Sequence, residues 1–309
     1  MANNRLSALA ASFFANFETR FKRKEKDAFL ERCKAEFAEL GYMDSEVIIQ
    51  KAGGGKNLMV GPPDADILIT AHYDTPAANG LMLVANPVLG QALGTLAFPL
   101  VILWLAGFLA GFLSVGNPFV SFLFPGILIL LLILGFTIKN KHNHNDNTSG
   151  VLGVFRMAEF VASNPTLKDR CAFVLFDNEE WGLLGSSAFA KWRKKNYPQK
   201  KDSAVINLDC IGYGDILLLA ATKKHEDWHK MAAFFQNQGF KIAKKQSSLV
   251  FLSDHMHFAG GVMLSFAKKS RLGFLYLPNV HTRKDTVCDL DNIERLSASI
   301  FKYLCETIR

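Results

Sequence analysis

The stretch that decides the fold reads Phe-Asp-Asn-Glu-Glu-Trp-Gly-Leu-Leu-Gly-Ser over residues 176–186. It follows an apolar run, residues 171–175, whose length and β-rich composition are typical of a buried strand. Glu179 and Glu180 therefore stand where that strand ends, which is where ligands bind in α/β sheets. Adjacent acids repel each other, and a bound cation removes that penalty. The pair is either a metal ligand beside a proton-transferring group or a solvated pair that opens a helix.

Four further metal-capable side chains stand at the ends of strand-like runs, in a turn or at the start of a helix: His72, Asp146, Asp209 and His281. Each one alone has an ordinary explanation as a turn residue or a helix cap. Together with the glutamates, two histidines and three carboxylates could hold two zinc ions if one carboxylate bridges them. Asp74 stands two residues after His72 on extended chain, so both side chains point the same way. That placement suits Asp74 as the acceptor that fixes the tautomer of His72.

Strand-like and helix-like runs alternate along the charged parts of the chain. The predicted strands are residues 47–49, 57–60, 66–71, 171–175, 204–208, 216–220, 262–266 and 274–276. The predicted helices are residues 6–40, 151–160, 188–192 and 226–240, with a last one that begins near residue 291. This alternation predicts an α/β fold with a largely parallel sheet.

An uncharged stretch interrupts this pattern, with no Lys, Arg, Asp, Glu or His from Thr75 to Ile138. Within it, residues 92–113 and 118–138 are each long and apolar enough to cross a hydrocarbon core of roughly 30 Å as a helix. Neither stretch has the polar face that a soluble helix needs. We therefore expect a transmembrane helical hairpin at residues 90–138. The alternative is a hydrophobic arm used for oligomerisation.

The positions of the charges and the cysteine content predict the cellular location of the protein. Lys139 and Lys141 follow the second apolar stretch, and the turn between the stretches has no charge. The positive-inside rule then puts both ends of the hairpin, and so the charged parts of the chain, in the cytoplasm, on an integral protein of the plasma or inner membrane. Five cysteines without a CxxC motif fit a reducing compartment. The net charge of +7 suits anionic lipid, and no nucleic-acid-binding motif is present.

The ordered motifs resemble those of the M28 family of zinc metallopeptidases, which includes di-zinc aminopeptidases. The matching pieces are residues 71–75, 145–150, 179–186, 207–209, 253–255 and 281–286, in the family's order. The resemblance implies a three-layer zinc-peptidase fold, in which helices flank a central mixed, largely parallel sheet. The whole chain, residues 1–309, would then be a single domain interrupted by the hairpin.

The resemblance also implies a role for each matching residue. Two co-catalytic Zn²⁺ ions would be held by His72, Asp146, Glu180, Asp209 and His281. Asp146 would bridge both ions. His72 and Asp209 would complete one metal site, and Glu180 and His281 the other.

The implied activity is that of a membrane-anchored aminopeptidase acting on peptides with a free N-terminus. Glu179 would be the general base for a water shared by the two ions, and Asp74 would support His72. A di-zinc carboxypeptidase or an N-acyl amidohydrolase remains an alternative, as does an inactive membrane scaffold. A glutaminyl cyclase shares this fold, but the intact set of five ligands argues against it. Residues 247–252 lack the tyrosine that some relatives use to hold the oxyanion.

Overall fold

The computed structural model describes the chain at residues 4–52, 54–77, 86–90, 138–200, 203–222, 228–246 and 251–307, and at the isolated positions 104, 107, 108, 111 and 126. The predicted membrane spans, residues 92–113 and 118–138, lie outside the described residues apart from these positions and Ile138. Within the described part, no helix combines the length and the apolar character that crossing a membrane requires. The hairpin and the division into one interrupted domain therefore stay predictions.

Nine strands form a single mixed sheet in the described residues. They are β1 Val47–Ala52, β2 Gly55–Val60, β3 Ile67–His72, β4 Cys171–Phe176, β5 Ala204–Leu208, β6 Ile216–Ala221, β7 Ile242–Gln246, β8 Gly260–Lys269 and β9 Leu275–Tyr276. The strand order is β1-β2-β4-β3-β5-β8-β6-β7, and β9 pairs with β8. The four central strands, β4, β3, β5 and β8, run parallel. Antiparallel pairs β2–β4 and β8–β6 border them, so parallel pairing is confined to the centre and to the β6–β7 edge. The prediction of a largely parallel sheet was therefore wrong, because antiparallel pairs are as numerous as parallel ones among the described strands.

Helices cover both faces of the sheet. They are α1 Asn4–Asn16, α2 Arg23–Glu39, α3 Gly150–Ala162, α4 Pro165–Lys168, α5 Leu184–Asn196, α6 Trp228–Asn237 and α7 Leu290–Thr307. Alternate residues of β3 show the two faces, because side chains alternate along a strand. Ile69 packs with the helices of one face, including Phe29 of α2 and Val154 of α3. Leu68 packs on the other face with Phe189 of α5. The expected α/β fold, with a mixed sheet flanked by helices, is confirmed.

The prediction of one helix over residues 6–40 was wrong, because a non-helical segment separates α1 from α2. The backbone leaves the helix after Asn16 and resumes it at Arg23. Glu25 begins α2 by accepting hydrogen bonds from the backbone N–H groups of Phe21 and Lys22. This capping arrangement supplies partners for N–H groups that a helix start leaves unpaired. The apolar spacing on either side of the break is helical, which is why the pattern concealed it.

The register of the central strands determines where the functional residues meet. His72, the last residue of β3, lies opposite Phe176, the last residue of β4. β5 runs parallel to β3 and pairs Thr70 with Asn207, two residues before Asp209. The carboxyl ends of β3, β4 and β5 therefore share one edge of the sheet. The chain that follows each strand enters the same region.

Candidate metal centre

His72 anchors a first group of three possible ligands at this edge. Its side chain is buried, and its Nε2 lies 3.3 Å from Oδ1 of Asp146 and 3.7 Å from Oδ1 of Asp209. Ligand atoms of these three residues all lie within 4.8 Å of one another. An imidazole and two carboxylates converging at this distance form a site of the size that one metal ion occupies.

A second group of three meets the first at Asp146. Nε2 of His281 lies 3.2 Å from Oδ2 of Asp146 and 3.2 Å from Oε2 of Glu180. The ligand atoms of this group also lie within 4.8 Å of one another. Asp146 thus turns one carboxylate oxygen toward each histidine. The structure therefore brings together all five residues predicted as ligands, in two triads that share one carboxylate.

The Asp146 loop is held by a carboxylate to which the sequence analysis gave no role. Asp285 is buried, and its two oxygens accept hydrogen bonds of 2.9 Å from the backbone N–H groups of Asn145 and Asp146. The side chain of Asn147 donates to the carbonyl oxygen of Leu208, 3.0 Å away, which ties the loop to the end of β5. Asp285 stands in the quoted 281–286 motif, and this position was the only signal that could have suggested its role.

Asp74 does more than the sequence predicted. Its carboxylate accepts hydrogen bonds from the backbone N–H of Glu179, at 3.0 Å, and of Glu180, at 3.3 Å. Nδ1 of His72 lies 3.5 Å from the Asp74 carboxylate and 3.3 Å from the Asp74 carbonyl oxygen. Asp74 therefore orients the loop that carries both glutamates and also lies beside His72.

A chain of buried polar groups supports Asp209. Ser253 donates a hydrogen bond of 2.6 Å to Oδ2 of Asp209, which leaves Oδ1 directed toward His72. Asn207 donates to the Ser253 hydroxyl at 2.8 Å, and Thr70 donates to the Asn207 side chain at 2.8 Å. Hydrogen bonds of this kind orient metal ligands and raise their affinity for the ion. The sequence analysis quoted Ser253 in a motif but gave it no role.

The electrostatics of the centre reflect an excess of buried carboxylates. Burial would lower the pKa of His72, but the neighbouring Glu179 and the hydrogen bond with Asp146 raise it well above its ordinary value. The pKa of His281 is raised in the same way, against burial, by Glu180 and Asp146. Burial raises the pKa of Glu179 well above its ordinary range, opposed by His72 and reinforced by Glu180. The carboxylates thus need positive charge beside them, which a metal ion supplies.

The donor set fits zinc. Imidazole nitrogens and carboxylate oxygens are the ligand types of catalytic zinc sites. One buried oxygen of Glu180, Oε1, has no hydrogen-bond partner in the described part of the chain. A buried carboxylate oxygen without a partner is costly, and coordination to a cation removes that cost. The residues present therefore suit a zinc centre.

A family match covers four of the five candidate ligands. Residues 138–304 match the family described as Peptidase family M28, and this segment is more than half of the chain. The chain belongs to peptidase family M28. The family is zinc-dependent, and the M28 resemblance that the sequence motifs carried is confirmed. The match does not include His72 and Asp74, which precede it in the chain.

Solved structures share the fold of this M28 protein. The LapA aminopeptidase of Legionella pneumophila has a TM-score of 0.62 at 15% identity, covering 98% of this chain and 71% of that chain. The glutaminyl cyclase of Porphyromonas gingivalis has a TM-score of 0.63 at 17% identity, covering 99% of each chain. BSAP, a zinc aminopeptidase from Bacillus subtilis, has a TM-score of 0.51 at 18% identity, covering 82% and 50%. A search of curated protein sequences gave no significant match.

Proposed function

We propose that this M28 protein is a zinc-dependent aminopeptidase that holds two Zn²⁺ ions. The observation that carries the proposal is the pair of triads that share Asp146, with Glu179 beside them. A shared carboxylate with one oxygen directed to each histidine suits two neighbouring cations better than one. Two ions form the kind of centre that holds both the attacking and the leaving atom in hydrolysis.

Glu179 is the proposed general base. Its carboxylate lies within 4.8 Å of ligand atoms of His72 and Glu180, and it is not needed to complete either triad. When bound, the zinc ions would polarise the scissile carbonyl and make a water acidic enough to lose a proton near neutral pH. Glu179 would accept that proton and return it to the leaving amine. Asp74 would keep Glu179 in place through the hydrogen bond from its backbone N–H.

The proposed substrates are peptides with a free N-terminus. The aminopeptidases among the structural relatives support this choice, although the fold is shared with a glutaminyl cyclase. The two complete triads argue against a cyclase, whereas a di-zinc carboxypeptidase or an N-acyl amidohydrolase would use the same ligands and is distinguished by its substrates. The presence of Glu179 with all five ligands also makes an inactive scaffold the weaker alternative.

We further propose that the hairpin at residues 90–138 anchors the protein in the lipid bilayer of the plasma or inner membrane, with the catalytic part in the cytoplasm. The support is the uncharged sequence together with Lys139 and Lys141 at its end. Ala77 and Lys139 form an antiparallel bridge, so the insertion begins and ends at neighbouring points. A reporter or a reactive thiol fused after Arg309 tests the orientation. Labelling of that group from outside intact cells would refute the cytoplasmic placement.

The decisive experiment measures zinc and hydrolysis on the same detergent-purified, full-length protein. The assay panel contains peptides with free N-termini, the same peptides N-acylated, peptides with a free C-terminus only, and peptides that begin with glutamine. Glu179→Gln is expected to keep its zinc and to lose at least about a hundredfold in kcat on free N-termini. Glu31→Gln, on an exposed side chain far along α2, is the matched control and should behave like the parent.

Each substrate class decides between the candidate functions. Hydrolysis only of peptides with a free N-terminus supports the aminopeptidase. Cyclisation of N-terminal glutamine would instead support a glutaminyl cyclase. Cleavage of N-acylated substrates would favour the amidohydrolase. Bound zinc with no turnover of any substrate, or a Glu179→Gln variant as fast as the parent, would refute the proposal.

A further inference from the structure

Arg20 is a fully buried arginine that the proposed chemistry leaves unexplained. It lies in the break between α1 and α2, and its side chain is completely shielded from solvent. Its guanidinium lies 4.8 Å from the centre of the Phe29 ring, on the side of the helices. A buried charge is costly unless it is paired or hydrogen-bonded, so this residue needs partners of its own.

The partners of Arg20 lie in the two chain segments that carry the candidate ligands His72 and Asp146. Nε donates to the carbonyl oxygen of Tyr73, the residue directly after His72. Nη2 donates to the Thr148 hydroxyl, 3.0 Å away and two residues after Asp146. One planar guanidinium thus connects the end of β3 to the Asp146 loop.

The backbone of Arg20 strengthens the same connection. Its N–H donates to the Thr75 hydroxyl at 3.0 Å, and its carbonyl oxygen accepts from the Thr75 N–H at 3.4 Å. The remaining side-chain bond, from Nη1 to the carbonyl oxygen of Phe17 at 2.9 Å, fixes the guanidinium within its own segment. The position of the guanidinium is therefore determined from three sides.

The charge of Arg20 also acts on the centre. Burial lowers the pKa of Arg20 to about 10, opposed first by Cys33 and then by Asp74, Asp146 and Asp285, so the side chain stays cationic at neutral pH. Among the described residues, the guanidinium donates its hydrogen bonds to neutral oxygens. Burial raises the pKa of the Cys33 thiol and keeps it neutral, so the negative charge that acts on Arg20 is that of the carboxylates at and behind the metal centre. Arg20 provides a permanent positive charge behind carboxylates that would otherwise repel one another.

We propose that Arg20 is a positioning residue for the metal centre, which holds the His72 segment and the Asp146 loop in one register and so determines the zinc affinity of their shared site. The proposal rests on the zinc centre proposed above. The planar fork matters as well as the charge, since a lysine ammonium cannot reach both oxygens in the same geometry. Loss of the fork should let the two ligand segments move apart while the cation remains.

Arg193 offers a closely matched control within the same chain. It is also buried, and its guanidinium donates to two backbone carbonyl oxygens, of Pro63 and Ala65, and to one hydroxyl, of Ser203. These partners precede β3 and β5, at the opposite edge of the sheet from His72. An arginine that serves only the stability of the fold should give the same result at either position.

The test compares Arg20→Lys with Arg193→Lys in the full-length protein, stripped of metal and titrated with ZnCl₂ against a chelator. Both variants are expected to unfold at a lower temperature than the parent. Arg20→Lys should also bind zinc about 10- to 100-fold more weakly per folded molecule, the usual effect of losing a group that orients metal ligands. Arg193→Lys should bind zinc within about twofold of the parent. On an active substrate, Arg20→Lys should lower kcat at saturating zinc more than it changes KM.

A second pair of variants keeps the inference testable if Arg20→Lys does not fold. Thr148→Val removes the hydroxyl that Arg20 contacts but retains the cation, and Thr148→Ser retains both. Thr148→Val should bind zinc more weakly than the parent, and Thr148→Ser should bind zinc with the parental affinity. Parental zinc affinity in folded Arg20→Lys or in Thr148→Val would overturn the proposal. A parent that binds zinc without hydrolysing any substrate would refute only the proposed function, whereas a parent that binds no zinc would refute both.

Discussion

Asp254 gives the sharpest stability prediction, because it is a carboxylic acid buried beside other carboxylates. It follows Ser253 and is completely buried. Burial raises the pKa of Asp254 from 3.8 to about 7, opposed by His72 and by the Ser186 hydroxyl and reinforced by Asp74 and Asp209. The folded protein therefore holds a proton on Asp254 at a pH where the unfolded chain has released it.

The sign and size of the effect follow from this difference. Below pH 3.8 both states hold the proton, and Asp254 does not make stability depend on pH. As the pH rises toward 7, only the unfolded chain ionises freely, so the folded state is progressively destabilised. Above pH 7 the penalty is complete, and a pKa difference of about 3 corresponds to about 4 kcal/mol as an upper value. Asp254→Asn removes the ionisation and should recover up to that amount in the metal-free protein.

The assay is thermal or urea unfolding of EDTA-treated protein at pH 4, 5.5, 7 and 8. Parent and Asp254→Asn should be nearly equal in stability at pH 4, and the variant should gain on the order of 5–10 °C at pH 8. Asp66→Asn is the control, because its difference from the parent should stay constant over this pH range. The hydrogen bond from Lys200 and then that from Arg170 lower the pKa of Asp66 despite some burial, so its contribution is present above pH 4 and lost in acid. A difference between parent and Asp254→Asn that does not change with pH would refute the reasoning.

Three further substitutions test how the loops around the centre are held. Lys26→Met removes the ammonium that lies 2.5 Å from the buried Asp177 carboxylate. The free energy of unfolding, measured in urea, should fall by about 3–5 kcal/mol. An unchanged urea midpoint would contradict the pairing. Ser253→Ala removes the 2.6 Å hydrogen bond to Asp209 and should weaken zinc binding about 10- to 100-fold in chelator competition; parental affinity would show that Asp209 needs no such support. Gly185→Ala would put a Cβ 1.9 Å from the Asp177 carbonyl oxygen. The free energy of unfolding should fall by at least about 1–3 kcal/mol, measured by thermal unfolding. An unfolding temperature equal to that of the parent would show that the backbone can relax around the added methyl group.

The candidate ligands could be predicted because each stands beside a local signal. Buried strands are recognisable as short apolar runs, and β3, β4 and β5 end close to where those runs end. Parallel strands end at the same edge, so three separate motifs had to converge there. His281 and Asp146 have weaker local signals, in a turn and at a helix start. Their assignment depended on the ordered resemblance to a family.

The supporting residues could not be predicted in the same way. Asp285 and Arg20 act through backbone groups and hydroxyls of segments more than fifty residues away. No local spacing encodes such contacts, since they arise only when the loops have folded together. Arg20 lies in a basic cluster that suggests a solvated surface, yet it is completely buried. β7 was also missed, because Ile242–Gln246 is mostly polar and half-buried to exposed, as an edge strand can be.

The ends of the long uncharged stretch are held close to the ligand set. Its two ends meet at the bridge between Ala77 and Lys139, and Lys139 also pairs with Glu25 of α2. Asn140 then donates to the carbonyl oxygen of Thr282, 2.9 Å away and next to His281. The chain at both ends of this stretch is therefore fixed by contacts with the rest of the fold. Because the closure cost of a loop rises only slowly with its length, the segment between these ends can be long without disturbing the centre.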